Sequence, residues 1–533
     1  MREEEFPVSP DKAEKLAEVL AKGKREDKLS EKRAVYVNLS MVRLQLGWVM
    51  PKLLYAKGVA DAAKLKGYVI CWNKNRFFNK IVNSLGFETI SLEEILRRDP
   101  AGALSALAET ISFIIADGSG EGLIKLRYCG VNAGKYLYED IIRTSSLSTI
   151  RSARNKICIR KMLHLLWMEH ALQKILKKDK PVYTVADDLA YHEAMQLCLF
   201  NKFGSKIRNV SSGAEDEVFF DEKGQPLRRG GWIHDCIKEQ LDEVPEAATA
   251  AEELLAANFA GISGRAIDRG AFKGKEILSR KDITEKLGLD PSKKNAVIMA
   301  HTFTDAVFNY GDLYFRDYYD WLDQTLKIAE EVDSVNWILK PHPTRKAYNE
   351  ETDSIEKMFE RHKKPHMFLL PDEISAGSIK ELADVLLTIG GNAGAEFACF
   401  GIPPVIVGKP YYREFGFTLE PSDLEEYIAA LKNIAEIGPL NEDQIRMARK
   451  VYYYKKKGRR YNKPFGGEFA LKINGLYKEM ADKMGISYFM SNKGTKEYND
   501  AVCDYMTSYV DVHGIRDNEY YLRGLQRGEE LQI

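Results

Sequence analysis

A histidine held between two prolines, Pro341-His342-Pro343 following Lys340, has a backbone restrained on both sides. Proline locks its own φ and narrows the choices of the residue before it. The imidazole is therefore fixed in direction, which suits contact with a phosphate oxygen. The plainer alternative is a histidine that caps a loop. His301, in Ala300-His301-Thr302-Phe303-Thr304-Asp305-Ala306, is either a ligand contact or a core histidine with satisfied nitrogens. A third cluster runs from Ile389 through Gly390, Gly391, Asn392, Ala393 and Gly394 to Glu396. Its glycines let the backbone turn tightly and approach a ligand closely. A helix from Ala393 to Phe400 would aim its free N–H groups at an anion. Glu396, in the first turn of that helix, would accept hydrogen bonds from ribose hydroxyls. The plainer reading of Glu396 is an acid favoured by the helix dipole.

Each cluster follows an apolar run of strand length. Ala296–Ala300 (AVIMA) precedes His301, Asn336–Lys340 (NWILK) precedes His342, and Asp384–Ile389 precedes the glycine turn. Met367–Leu370 and Pro403–Val407 read as further strands, with helices expected over Phe315–Glu331, Ile355–His362 and Ser378–Leu382. The first half repeats the alternation. Strands are expected over Ala34–Leu39, Tyr68–Trp72, Gly86–Ile90 and Tyr183–Val185, with helices over Arg76–Leu85, Ala101–Ile115 and Tyr191–Lys202. Strands alternating with helices indicate parallel sheets, whose ligands bind beyond the carboxyl ends of the strands. The fold class is α/β. The expected organisation is a polar lead over 1–30, a Rossmann-like domain over 31–275, a second over 276–440 and a helical segment over 441–533.

At 533 residues the chain exceeds what one core can serve. A hydrophobic share of 45% beside 29% charged residues is that of a globular protein rather than a disordered one. Lys plus Arg equals Asp plus Glu at 78 each, so no global field draws nucleic acid, and any anion site must be local. Seven scattered cysteines with no C-x-x-C pair argue against a disulfide framework and a zinc site and fit a reducing, cytoplasmic setting. The charged N-terminus lacks the apolar centre of an export signal, and no run reaches membrane-span length.

Other chemistries fit less well. His301 and Asp305 are four apart but lack a third metal ligand. Neither a G-x-x-x-x-G-K-[ST] loop nor a G-x-G-x-x-G after the first strand occurs. Gly118–Gly122 lacks the strand and helix that flank a hydrolase nucleophile. Tyr452–Lys463 (YYYKKKGRRYNK) mixes aromatics with cations, either as a solvated helix end or as a surface for anionic headgroups or glycan.

The succession AHTFTDA, a helix bearing Tyr318, Tyr319 and Trp321, NWILKPHP and IGGNAGAEFACFGIPPVIVGKPYY resembles bacterial capsule and surface-polysaccharide glycosyltransferases of the GT-B fold. The likeness covers about residues 295–415 closely. The first half shares it loosely, through YCGVNAGKYLYEDIIR and YHEAMQLCLFNKFG. The resemblance implies two facing Rossmann-type doubly wound domains with C-terminal helices, and a nucleotide-sugar donor held by the second domain. His342, with His301 and Lys340, would serve the donor phosphate or nucleotide. Gly391, Asn392, Ala393 and Gly394 would offer the helix N-terminus, and Glu396 would take the ribose. An inverting transfer also needs a base on the acceptor side. Asp140 and Glu139 are the first candidates, and Asp187, Asp188 and His192 the second set. The resemblance implies no metal cofactor and no nucleic-acid partner. The acceptor would be a polysaccharide or lipid-linked glycan, and the setting cytoplasmic, compatible with peripheral attachment at the inner membrane face. A sugar-nucleotide epimerase of the UDP-N-acetylglucosamine 2-epimerase type and a non-catalytic nucleotide- or glycan-binding assembly protein remain the alternatives.

Overall fold

In the computed structural model the described residues are 6–23, 32–39, 45–211, 214–227, 229–262, 275–343, 345, 353–457, 466–484 and 495–531. They form two compact units. The first comprises Met1–Asp140, Ser152–Leu227 and Lys463–Ile533, and the second Ile141–Arg151 and Arg228–Asn462. The expected boundary at 275/276 thus falls inside the second unit. The stretch 441–533 is divided: among the described residues, the helix Glu442–Lys457 lies in the second unit and three later helices in the first.

The first unit is built on a six-stranded sheet of order β3-β2-β1-β6-β7-β8. Its strands are β1 (Arg33–Asn38), β2 (Lys66–Cys71), β3 (Glu88–Ser91), β6 (Lys180–Ala186), β7 (Lys206–Ser211) and β8 (Ala214–Glu217). All pairings are parallel except β7–β8. A separate small hairpin joins β4 (Arg127–Tyr128) to β5 (Val131–Asn132). The last helix, Glu519–Glu529, returns to pack on Leu46–Ala63. Gly58 and Gly524 permit this, because a Cβ at either would lie about 2 Å from the carbonyl oxygen of Tyr521 or Tyr55.

The second unit carries a wholly parallel sheet of order β11-β10-β9-β12-β13. Its strands are β9 (Lys294–Met299), β10 (Val335–Lys340), β11 (Met367–Leu369), β12 (Val385–Thr388) and β13 (Pro404–Ile406). Every residue of β10 is buried, as expected of a central parallel strand covered on both faces. Its one amide is satisfied there: Asn336 Nδ2 donates to Asn295 Oδ1 at 2.9 Å and to the Asp290 carbonyl at 2.8 Å.

Both sheets reverse direction of growth beside their first strand, between β1 and β6 and between β9 and β12. Such switch points open a crevice at the carboxyl ends of the strands, where doubly wound sheets bind ligands. The α/β class of two Rossmann-type units therefore holds.

Candidate functional site

In the second unit, His301 follows β9 and Thr388 ends β12, so both stand at the switch point. His301 Nε2 lies 3.1 Å from Thr388 Oγ1, which also accepts the Gly391 N–H at 3.2 Å. Tyr318 and Trp321 of the helix Tyr318–Glu331 pack on the imidazole, with Tyr310 on another side. Burial, helped by the neighbouring His342, pushes His301 down to about 3, so the ring is neutral at physiological pH. It makes no other hydrogen bond to a described residue. His342 is half-buried after β10. The Arg345 guanidinium fixes its loop by donating to the His342 carbonyl at 3.1 Å and to both Asp372 oxygens at 2.9 Å.

Two expected contacts are placed differently. Lys340 is buried and donates to the carbonyls of Ile374 at 2.9 Å and Pro371 at 3.2 Å. Burial, with the Lys275 charge, pushes it down to about 8. It therefore ties the end of β10 to the next loop. The helix after β12 runs Asn392–Ala398, so Glu396 sits in its second turn, not its first. Glu396 is nearly buried and accepts from Asn258 Nδ2 at 3.0 Å. Asn392 is exposed at the helix start, and Ala393 is half-buried beside it.

The glycines have reasons other than a ligand. None of Gly390, Gly391 and Gly394 has a left-handed φ. A Cβ at Gly390 would lie 2.6 Å from the Tyr310 ring, and one at Gly394 would lie 2.2 Å from the Tyr412 hydroxyl. That hydroxyl donates to the Gly391 carbonyl at 2.7 Å. Tyrosines thus pack where side chains would stand, and they brace the turn.

In the first unit the two sets of acid–base candidates come together. His192 Nδ1 lies 2.6 Å from Asp140 Oδ2, and His192 Nε2 is buried without a partner. Burial alone would raise the Asp140 carboxyl, but the charge and hydrogen bond of His192 hold it below the usual range. Glu139 is fully buried and accepts the Tyr191 N–H at 3.2 Å, where Tyr191 adopts a φ of 57° at the start of the helix Tyr191–Lys202. Asp187, just past β6, pairs with the buried Lys52 at 2.7 Å and donates its N–H to Glu193 at 2.8 Å. Burial, with the Asp187 charge, pushes Glu193 well above the usual carboxylate range. Asp188 is exposed and its carboxylate accepts the Leu189 N–H, while its own backbone N–H and its charge act on the buried Glu193.

Sequence reasoning missed several partners. Thr388, Tyr310, Tyr412, Asn258 and Arg345 carry no signal of their own. His164 and Lys161 lie on the helix Lys156–Lys178, close enough to Asp140 and His192 that their charges interact. The periodic apolar positions of that helix were its available signal. Of the basic run, Tyr452 and Tyr454 are core residues, and the cations Lys455 and Lys456 lie over the rings of Tyr411 and Tyr452. Its remainder, 458–463, lies outside the described residues. Among the described residues, no three His, Cys, Asp or Glu side chains are grouped as metal ligands would be.

No protein-family model matches the chain, and no curated protein does. Solved structures match weakly. A KpsC of Thermosulfurimonas dismutans, a β-Kdo 2,4 transferase, shares 15% identity at a TM-score of 0.31 over 52% of this chain and 80% of its own. A glycosyltransferase from Rickettsia africae shares 10% at 0.27 over 84% and 99%. A UDP-GlcNAc 2-epimerase from Neisseria meningitidis bound to UDP-GlcNAc shares 10% at 0.23 over 79% and 95%. At scores this low the functional reading rests on the residues of this chain.

Proposed function

We propose that this chain is a glycosyltransferase that moves a sugar from a nucleotide-sugar donor to a bacterial surface polysaccharide or lipid-linked acceptor. The observation that carries the proposal is the Asp140–His192 pair. A buried carboxylate orients the imidazole through Nδ1 and leaves Nε2 without a partner, the arrangement of a general base. In the proposed reaction His192 Nε2 takes the proton of the acceptor hydroxyl as its oxygen attacks the anomeric carbon. Asp140 stabilises the imidazolium that results. The bond from anomeric carbon to phosphate breaks, and the nucleotide leaves with the electron pair.

The switch point of the second unit serves the donor in this reading. Neutral His301 offers Nδ1, His342 stands on the loop that Arg345 fixes, and the N–H groups of Asn392 and Ala393 face the phosphate, while the Gly394 N–H closes the turn on the Gly391 carbonyl at 3.0 Å. Glu396, oriented by Asn258, takes the ribose. No metal is required. The setting in this reading is cytoplasmic, compatible with peripheral attachment at the inner face of the membrane.

Thermal shift with UMP, UDP, CMP, CDP, GDP and TDP tests the donor half. One nucleotide should stabilise the wild type, by about 2.7 kcal/mol at about a hundred times its Kd. His342→Ala and Glu396→Ala should lose the response. Turnover of the matching nucleotide sugar should then require an acceptor and survive a chelator. Turnover without an acceptor would instead identify an epimerase, and tight binding without turnover an assembly protein. No response from the wild type to any nucleotide would overturn the donor site.

A further inference from the structure

The helix Pro100–Ala116 turns an apolar stripe away from its own unit. Leu104, Leu107, Ile111 and Ile115 are between 41% and 76% exposed. At 3.6 residues per turn they fall within a sector of about 80°. Gly102, Ala106, Thr110 and Phe113 occupy the opposite side and are buried against the helix Lys156–Lys178. No charged residue interrupts the stripe. Glu109, the one acid of the helix, points to the flank and meets His170 at 3.4 Å. A contiguous exposed apolar face of this kind marks an interaction surface.

Cations stand at both ends of the stripe. Arg97 and Arg98 precede the helix, and Arg97 is shared with Glu93. At the far end the Arg154 guanidinium donates to the carbonyls of Ile114 at 3.1 Å and Asp117 at 2.7 Å. Exposed Lys156 and Arg160 follow in the next helix. Arg98, Arg154, Lys156 and Arg160 form no ion pair with a described residue.

This charge pattern selects the occupant. Two copies of the chain meeting through this stripe with their helices parallel would bring Arg154, Lys156 and Arg160 onto their own copies. A sheet of anionic headgroups would meet both ends at once, while the stripe entered the acyl boundary. None of the described helices is long and apolar enough to cross a membrane. This one, about 25 Å long, has the make-up of a helix lying in the interface. We propose that the Pro100–Ala116 helix docks the protein on an anionic lipid bilayer, its apolar stripe inserted and its terminal cations on phosphate headgroups. The proposal does not depend on what the protein catalyses.

Co-sedimentation of the full chain with phosphatidylcholine vesicles, with and without about one third phosphatidylglycerol, tests it. The wild type should pellet with the anionic vesicles, weaken at least about tenfold between about 0.1 M and about 1 M salt, and bind neutral vesicles poorly. Leu104→Glu/Ile111→Glu/Ile115→Glu should lose binding by about tenfold or more while keeping the wild-type melting temperature. Lys156→Glu/Arg160→Glu should lose the preference for anionic lipid. Failure of the wild type to pellet with anionic vesicles would overturn the proposal. So would a triple variant that still bound vesicles. A wild-type dimer in light scattering that the triple variant converted to monomer, with vesicle binding unchanged, would assign the stripe to self-association instead.

Discussion

Replacing His301 by glutamine removes a titrating ring and keeps a group able to hydrogen-bond Thr388. The folded protein encloses the imidazole among Tyr310, Tyr318 and Trp321 and sets it near His342. Moving from 6.5 in the unfolded chain to about 3 in the fold makes protonation up to about 5 kcal/mol costlier in the folded state. Below pH 6.5 the unfolded chain takes up a proton that the folded protein refuses. The stability contributed by neutral His301 is therefore complete above about pH 6.5 and lost progressively as pH falls toward 3. At about pH 5 the loss amounts to about 2 kcal/mol. The direct assay is NMR of protein carrying carbon-13 at histidine Cε1. One resonance, absent from His301→Gln, should stay flat between about pH 5 and 8. The linkage should appear as a steeper fall of unfolding midpoint with acidity in wild type than in the variant. A His301 resonance titrating near the ordinary histidine value, with identical pH dependence in both proteins, would refute the argument.

Asp140→Asn keeps the shape of the pair but removes the charge that stabilises His192 as an imidazolium. Turnover should fall about a hundred- to ten-thousandfold while nucleotide thermal shifts stay unchanged; unaltered turnover would remove His192 as the base. Gly394→Ala should lower stability by about 1 to 3 kcal/mol, because the overlap with Tyr412 exceeds the gain of about 1 kcal/mol in helix propensity. Gly438→Ala, where nothing lies within 4 Å and the φ is ordinary, is the control and should be neutral or slightly stabilising in urea unfolding.

The strands that position the candidate sites were legible because central parallel strands are nearly all apolar. AVIMA and NWILK announce themselves, and the polar residue ending such a run stands at the rim where ligands bind. Residue type at a turn was legible too, but not its partner. Glycine at 390 and 394 admits a ligand or a tyrosine equally well, and Tyr310 and Tyr412 lie outside any local window. The same holds for Asp140 and His192, which are 52 positions apart in sequence and 2.6 Å apart in the fold. The helix Lys156–Lys178 carries cations among its apolar positions, which blurs its pattern, yet it supplies charges around that pair. The C-terminal helices were legible as helices but not as to which unit they join. An amphipathic face says only that it will be covered. Gly58 and Gly524 decide the matter for the last helix, because two bare backbones can approach where two side chains cannot.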